Sequence, residues 1–147
     1  MEENKNNDET LQSKKNLDTS QKEYLEKIGS IRKKFNSCNK YFSTLADTVR
    51  QEILLILAES GVEGMDVQDI TARTHLSRPA ISHHLKILKD AGMIISHKKG
   101  TQVYYFIYIQ KTLEDIKDLL TTVENLVSDI DMESVKQKAP WMVANEG

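Results

Sequence analysis

The sequence predicts a mainly α fold with a small β-hairpin: a winged helix-turn-helix of element order α-α-(β)-α-α-β-β-α, dimeric. Three observations predict it. Between Met65 and Ile109 the chain reads as short helix, tight turn, second helix and two-stranded hairpin, the order that sets one helix in a DNA groove with a β-ribbon beside it. Basic residues gather in that same stretch, where Arg73, Arg78, Lys86, Lys89, Lys98, Lys99 and Lys111 face Asp90 alone among acids between positions 71 and 111. Helical patterns on either side carry narrow apolar seams, and a small core needs only one face of each.

Charge and composition bound the function classes. The formal net charge of the 147 residues is -2, which does not argue against a polyanionic partner, because distant acids are screened beyond a Debye length of ~8–10 Å. A local basic patch attracts phosphate whatever the total. Residues 1–19 contain almost no apolar side chains and are expected to be disordered. Residues 20–131 then form the DNA-binding domain with its flanking helices, and 132–147 form a C-terminal tail. No apolar run reaches the ~18 residues of a membrane helix, so no membrane is expected and the cytoplasm is the expected location. Cys38 is the single cysteine, which excludes an intramolecular disulfide and a multi-cysteine metal site.

Taken in order, Ile28, Ile31, Phe35, Cys38 and Phe42 recur at three-and-four spacing from about Ser20 onward, the seam of a first helix. Asp47 is placed to cap the next helix, whose Val49, Ile53, Leu54, Ile56 and Leu57 make it largely buried, and Gly61 and Gly64 break it. Asp66 caps a short helix with Ile70 inward, ending near His75. Ser77 is the cap of the following helix, with Pro79 tolerated in its first turn. There Ile81, Leu85 and Leu88 make the inward stripe, and Gly92 ends the helix in a left-handed turn. Strands are expected at Met93–His97 and Gln102–Ile109 around a KKGT tip. Leu113, Ile116, Leu120, Val123, Val127 and Ile130 then give a last helix the same spacing as the first.

Function follows from the outward faces. At 100° per residue, Pro79, Ser82, His83 and Lys86 oppose the buried stripe, with Ser77 and Arg78 at the exposed N-terminal end. These short polar and cationic groups suit base edges and phosphates of double-stranded DNA, while Lys98, Lys99, Thr101 and Gln102 on the hairpin suit the backbone or minor groove. His84 lies nearer the buried stripe and reads as a structural hydrogen-bonding group. The surplus seams read as a homodimer interface: Ile28, Ile31, Phe35 and Cys38 on the first helix, Leu113, Ile116, Leu120, Val123 and Val127 on the last. Two-fold pairing would place two recognition helices ~34–36 Å apart, about one DNA turn. A lone cysteine in such a seam reads as a small hydrophobe. No phosphate-binding glycine loop, activated nucleophile or spaced metal triad is present in the sequence, so no catalytic residue, metal ligand or cofactor is assigned. Two other readings stay open: a winged-helix module that binds a partner protein, and a nonspecific architectural DNA binder.

The blocks LADTVRQEILLIL, LSRPAISHHLKILKDAGMI and KKGTQVYYFI resemble the ArsR/SmtB family of bacterial winged-helix repressors. The most specific part is the pattern of Ser82, His84 and Leu85, with Ala91 and Gly92 at the end of that helix. The opening Asp47-Thr48-Val49-Arg50 departs from the family's usual aspartate-proline-threonine-arginine. The resemblance implies a homodimeric repressor that occludes a promoter and is released by a ligand or chemical signal. It also implies where metals would bind in metal-sensing members, and the residues here do not suit them. The positions of the thiolate pair are Asp66 and Gln68, unable to give soft ligation. The last helix offers Glu114, Asp115, Asp118, Glu124 and Asp129 but no histidine, and carboxylates alone hold zinc poorly.

Overall fold

A computed structural model describes residues 5–144, with side chains from Thr19 onward. The chain divides into two units, residues 33–118 and residues 1–32 with 119–147. Its elements are α1 (Lys5–Leu45), α2 (Thr48–Ser60), β1 (Met65–Asp66), α3 (Val67–Ala72), α4 (Arg78–Asp90), β2 (Ile94–Lys99), β3 (Gln102–Ile107), α5 (Gln110–Ser128), α6 (Met132–Lys138) and α7 (Pro140–Val143).

The unit 33–118 is built by local signals that each start or stop an element. The Asp47 carboxylate accepts from the backbone N–H groups of Val49 at 2.8 Å and Arg50 at 3.2 Å, which satisfies donors that the first turn of α2 leaves open. Those two bonds, with that of Arg50 foremost, hold the Asp47 carboxyl below the usual carboxylate range. Asp66 caps α3 by accepting from Asp69 N at 2.8 Å, and Ser77 caps α4 by accepting from Ala80 N at 3.3 Å. Past the end of α4, Gly92 takes φ +75, the left-handed conformation that lets the chain turn directly into β2. Gly64, at φ +68, allows no side chain: a Cβ there would lie 2.6 Å from the Phe106 ring and 2.8 Å from the Tyr105 carbonyl.

The wing is a three-stranded antiparallel sheet of order β1-β3-β2. Strand β2 pairs with β3 from Ile94↔Ile107 to Lys99↔Gln102, and the two-residue β1 adds Met65↔Tyr105 and Asp66↔Tyr104 on the other edge. Ile53, Leu54, Ile56 and Leu57 of α2, Ile70 of α3, Ile81, Leu85 and Leu88 of α4, and Met93 and Ile94 entering the wing are all buried. At ~1.5–3 kcal/mol for each large side chain fully removed from water, this cluster supplies the main attachment of α4.

Within the same unit the last turns of α1 and the start of α5 meet through Tyr41. Its hydroxyl donates to Asp115 Oδ2 at 2.7 Å, and Lys111 pairs with Asp115 Oδ1 at 2.8 Å. Burial, then the Asp115 bond, pushes the Tyr41 phenol up to about 12. In the second unit Lys27 donates to Asp129 at 2.6 Å.

Several boundaries differ from expectation. The stretch 1–19, expected to be disordered, is helical in backbone from Lys5; low hydropathy does not oppose a helix when Glu, Lys, Gln and Leu supply good propensity. Residues 1–4 lie outside the described residues. The short helix ends at Ala72 rather than near His75, because the backbone N–H of Arg73 already turns back to Ile70 O and Thr71 O. The strands run Ile94–Lys99 and Gln102–Ile107, carrying β2 two residues further toward the tip and ending β3 two residues earlier than read. The 132–147 tail contains α6, capped by Asp131 on Glu133 N at 3.0 Å, and α7 with Pro140 in its first turn.

Candidate nucleic-acid interface

Helix α4 divides cleanly into two faces. Ile81, Leu85 and Leu88 are fully buried, while Arg78, Pro79, Ser82, His83 and Lys86 are exposed, as is the cap residue Ser77. The N-terminal turn brings the positive end of the helix dipole to the same place as Arg78. Lys86 pairs with Asp90 at 2.8 Å one turn along, and that bond raises the lysine above its ordinary value. Both groups are exposed, so a phosphate competes with this pair at little cost.

Each expected wing residue (Lys98, Lys99, Thr101, Gln102) is exposed. The hairpin register places Lys99 opposite Gln102 and Lys98 opposite Val103, with Gly100 and Thr101 between the strands. Lys99 Nζ stands 5.1 Å from the centroid of the Tyr104 ring, and the Tyr104 hydroxyl donates to Gln102 Oε1 at 2.9 Å. The wing tip is thus a small cluster in which one cation, Lys99, lies over an aromatic ring.

Helix and wing converge. A cleft is lined by Arg78 from α4, by Thr101 and Gln102 from the wing, and by Asp66, Gln68 and Tyr105. Sequence reading missed the last three as members of this surface. Asp66 and Gln68 arrive there because β1 pairs with β3, a two-residue strand with no periodicity of its own. Lys89, also unassigned from sequence, donates to Ser96 Oγ at 2.7 Å and ties α4 to β2. His84 sits half-buried, its Nδ1 3.4 Å from an Arg50 nitrogen, in keeping with a structural hydrogen-bonding group.

The seams read as a dimer face split into two sets. Phe35 on α1 and Leu113, Leu120 and Val127 on α5 are exposed, and Ile28, Ile116 and Val123 are half-buried. Ile31 and Cys38 are buried in the chain itself, Cys38 to 1% exposure, so these two are withdrawn from the face assigned to a second copy. An α-helix this long presents one seam to two sides, and the residues aimed most directly at its own chain are covered there. Burial, followed by Asp115 and Asp118, raises the Cys38 thiol, which keeps it protonated and poorly nucleophilic. Two carboxylates of α5 are engaged within the chain, Asp115 by Tyr41 and Lys111 and Asp118 by Lys34 at 3.0 Å, and Asp129 just past the helix end pairs with Lys27. Asp66 and Gln68, at the positions that the family resemblance gives to a thiolate pair, offer oxygen donors rather than soft sulfur ligands. No helix among the described residues is long and apolar enough to cross a membrane.

Comparison with known proteins agrees with this geometry. Residues 47–96, from the Asp47 cap into β2, match the model of bacterial regulatory proteins of the arsR family. The chain is 38% identical over 84 residues to an HTH-type transcriptional regulator of Methanocaldococcus jannaschii, covering 57% of this chain and 92% of that one. It is 33% identical over 92 residues to the transcriptional repressor SdpR of Bacillus subtilis, covering 63% and 99%. Among solved structures, an ArsR family transcriptional regulator superimposes with TM-score 0.57 at 22% identity over 65% of this chain and 95% of the other. An ArsR-like regulator from Rhodococcus gives 0.51 at 26% identity over 71% and 94%. The cap-to-wing match, the near-complete coverage of two relatives and the shared fold make this chain a member of the arsR family of transcriptional regulators, with a winged helix-turn-helix DNA-binding domain.

Proposed function

We propose that this protein is a sequence-specific, homodimeric repressor that binds a two-fold-symmetric operator and is not a classical metal sensor. The observation that carries the reading is the convergence of Arg78 with Thr101 and Gln102 on one cleft, which brings the start of the recognition helix and the wing to a single surface. Ser77, Arg78, Pro79, Ser82, His83 and Lys86 enter the major groove; Lys98, Lys99, Thr101 and Gln102 follow the backbone or minor groove. Exposed Phe35, Leu113, Leu120 and Val127 support pairing with a second copy, which supplies the second recognition helix. Bound across a promoter, such a dimer represses by occlusion, as the name of the Bacillus relative suggests. The engagement of Asp115 and Asp118 on α5 and the oxygen-bearing Asp66 and Gln68 support a signal other than a thiophilic metal.

The test is a titration of the protein into a duplex carrying its own upstream region, against a scrambled duplex, across a salt series. The expected result is preferential binding, one dimer per site and a steep salt slope, because several phosphates are neutralised at once. Equal affinity for both duplexes would replace the reading with a nonspecific architectural binder. No binding at low salt would leave a protein-interaction module.

A further inference from the structure

Arg50 joins three elements of the 33–118 unit, and its side chain is only 13% exposed. Its Nε donates to Thr44 O at 2.7 Å and its Nη2 to Ser43 O at 3.2 Å, capping carbonyls that the last turn of α1 leaves open. Its Nη1 lies 3.6 Å from Asp47 Oδ2, the cap of α2, and 3.4 Å from His84 Nδ1 on α4. A guanidinium has only donors, so in a hydrogen bond between the two the acceptor is His84 Nδ1. Nothing in this arrangement touches the outward face of α4, yet it reaches the residue next to His83 and two positions from both Ser82 and Lys86.

From this we infer that Arg50 is a positioning residue for DNA recognition, fixing through His84 the angular setting of α4 against the end of α1 and the start of α2. The inference rests on the DNA-binding reading above. Its physical basis is a difference in kind between two attachments. Ile81, Leu85 and Leu88 hold α4 through apolar burial, which is strong and non-directional. A base contact tolerates only ~2.7–3.2 Å between heavy atoms, so a small rotation of α4 that leaves the apolar stripe covered still misplaces Ser82, His83 and Lys86. The Arg50–His84 bond is directional and opposes that rotation. Because α1 also carries the apolar face offered to a second copy, the same bond relates each recognition helix to the proposed dimer seam.

The test compares wild type with Arg50→Gln, His84→Leu, His84→Asn and the Arg50→Gln/His84→Leu pair. Each is titrated with a duplex selected by wild-type protein from a randomised pool, and with a scrambled duplex, across salt, alongside thermal unfolding. Arg50→Gln and His84→Leu are expected to lower the ratio of specific to nonspecific affinity about tenfold, of the order of one lost base contact. Nonspecific affinity and its salt slope stay unchanged, since neither residue meets phosphate. His84→Asn, whose amide oxygen stands near the Nδ1 position, restores the ratio, and the double variant is no worse than the worse single one. The inference is overturned if His84→Leu keeps full discrimination, if the two losses add, or if specific and nonspecific affinity fall together with thermal stability. Should Arg50→Gln fail to fold, the half-exposed His84 pair decides by itself. A wild-type protein that selects no sequence would refute the DNA-binding reading, a result distinct from variants that discriminate as well as wild type.

Discussion

Helices α4 and α5 are both amphipathic with apolar residues at three-and-four spacing, but they spend those residues differently. On α4, Ile81, Leu85 and Leu88 are completely covered by the chain's own α2, α3 and wing. On α5, Leu119 is covered, whereas Leu113, Leu120 and Val127 remain open, Leu120 to 55%. One helix therefore uses its apolar face to hold a polar face outward; the other keeps apolar surface outward. Periodicity reports that a face is apolar. It does not report whether the cover comes from the same chain, and that distinction separates a recognition element from an association element.

The largest effect should come from striking the two faces in parallel. Leu85→Ala is expected to cost about 2–5 kcal/mol of folding stability, the usual range for a buried leucine, read from urea denaturation. Leu120→Glu should leave the folded protomer intact and shift the species distribution toward monomer in sedimentation velocity. Equal loss of folding stability in both, at high dilution, would erase the contrast between the helices.

A smaller effect tests the joint where α5 does bury something. Tyr41→Phe removes a bond to a charged acceptor, worth ~1.5–3 kcal/mol when intact. Since the folded state raises the phenol to about 12, this contribution is whole below the ordinary tyrosine value near 10 and is lost as pH rises through 12. Wild type should lose stability across that interval in pH-dependent denaturation, and the phenylalanine variant should show a flatter curve. An unchanged alkaline slope would mean that Tyr41 does not anchor α5.

The smallest effect lies on the recognition side. Lys99→Ala should leave stability alone, weaken binding to every duplex alike, and reduce the salt slope by about one. If Lys98→Ala and Lys99→Ala together change neither affinity nor slope, the wing does not meet DNA and only α4 keeps its assignment.

The caps, turns and buried stripe around α4 could be read in advance because their determinants are local. Asp47, Asp66 and Ser77 cap by reaching two or three residues ahead, and Gly92 and Gly100 mark turns that need positive φ. The stripe on α4 follows from 3.6 residues per turn. Readings weakened where the deciding partner lay far along the chain. Cys38 and Phe35 belong to one sequence seam, yet one is buried and the other exposed. Asp66 and Gln68 could be placed at a helix start but not beside Arg78.

By itself, the sequence determined which residues cap α2, α3 and α4, which face of α4 is apolar, and that the wing tip is cationic, since each depends on neighbours within a turn or a hairpin. Only the tertiary structure decided that β1 completes the sheet through Asp66↔Tyr104, that Tyr41 meets Asp115, and that Arg50 reaches His84. Those pairings join residues 34 to 74 positions apart, or a two-residue strand to its distant edge. No periodic pattern encodes a contact of that kind; it exists only after the apolar faces have packed and brought the polar groups within hydrogen-bond distance.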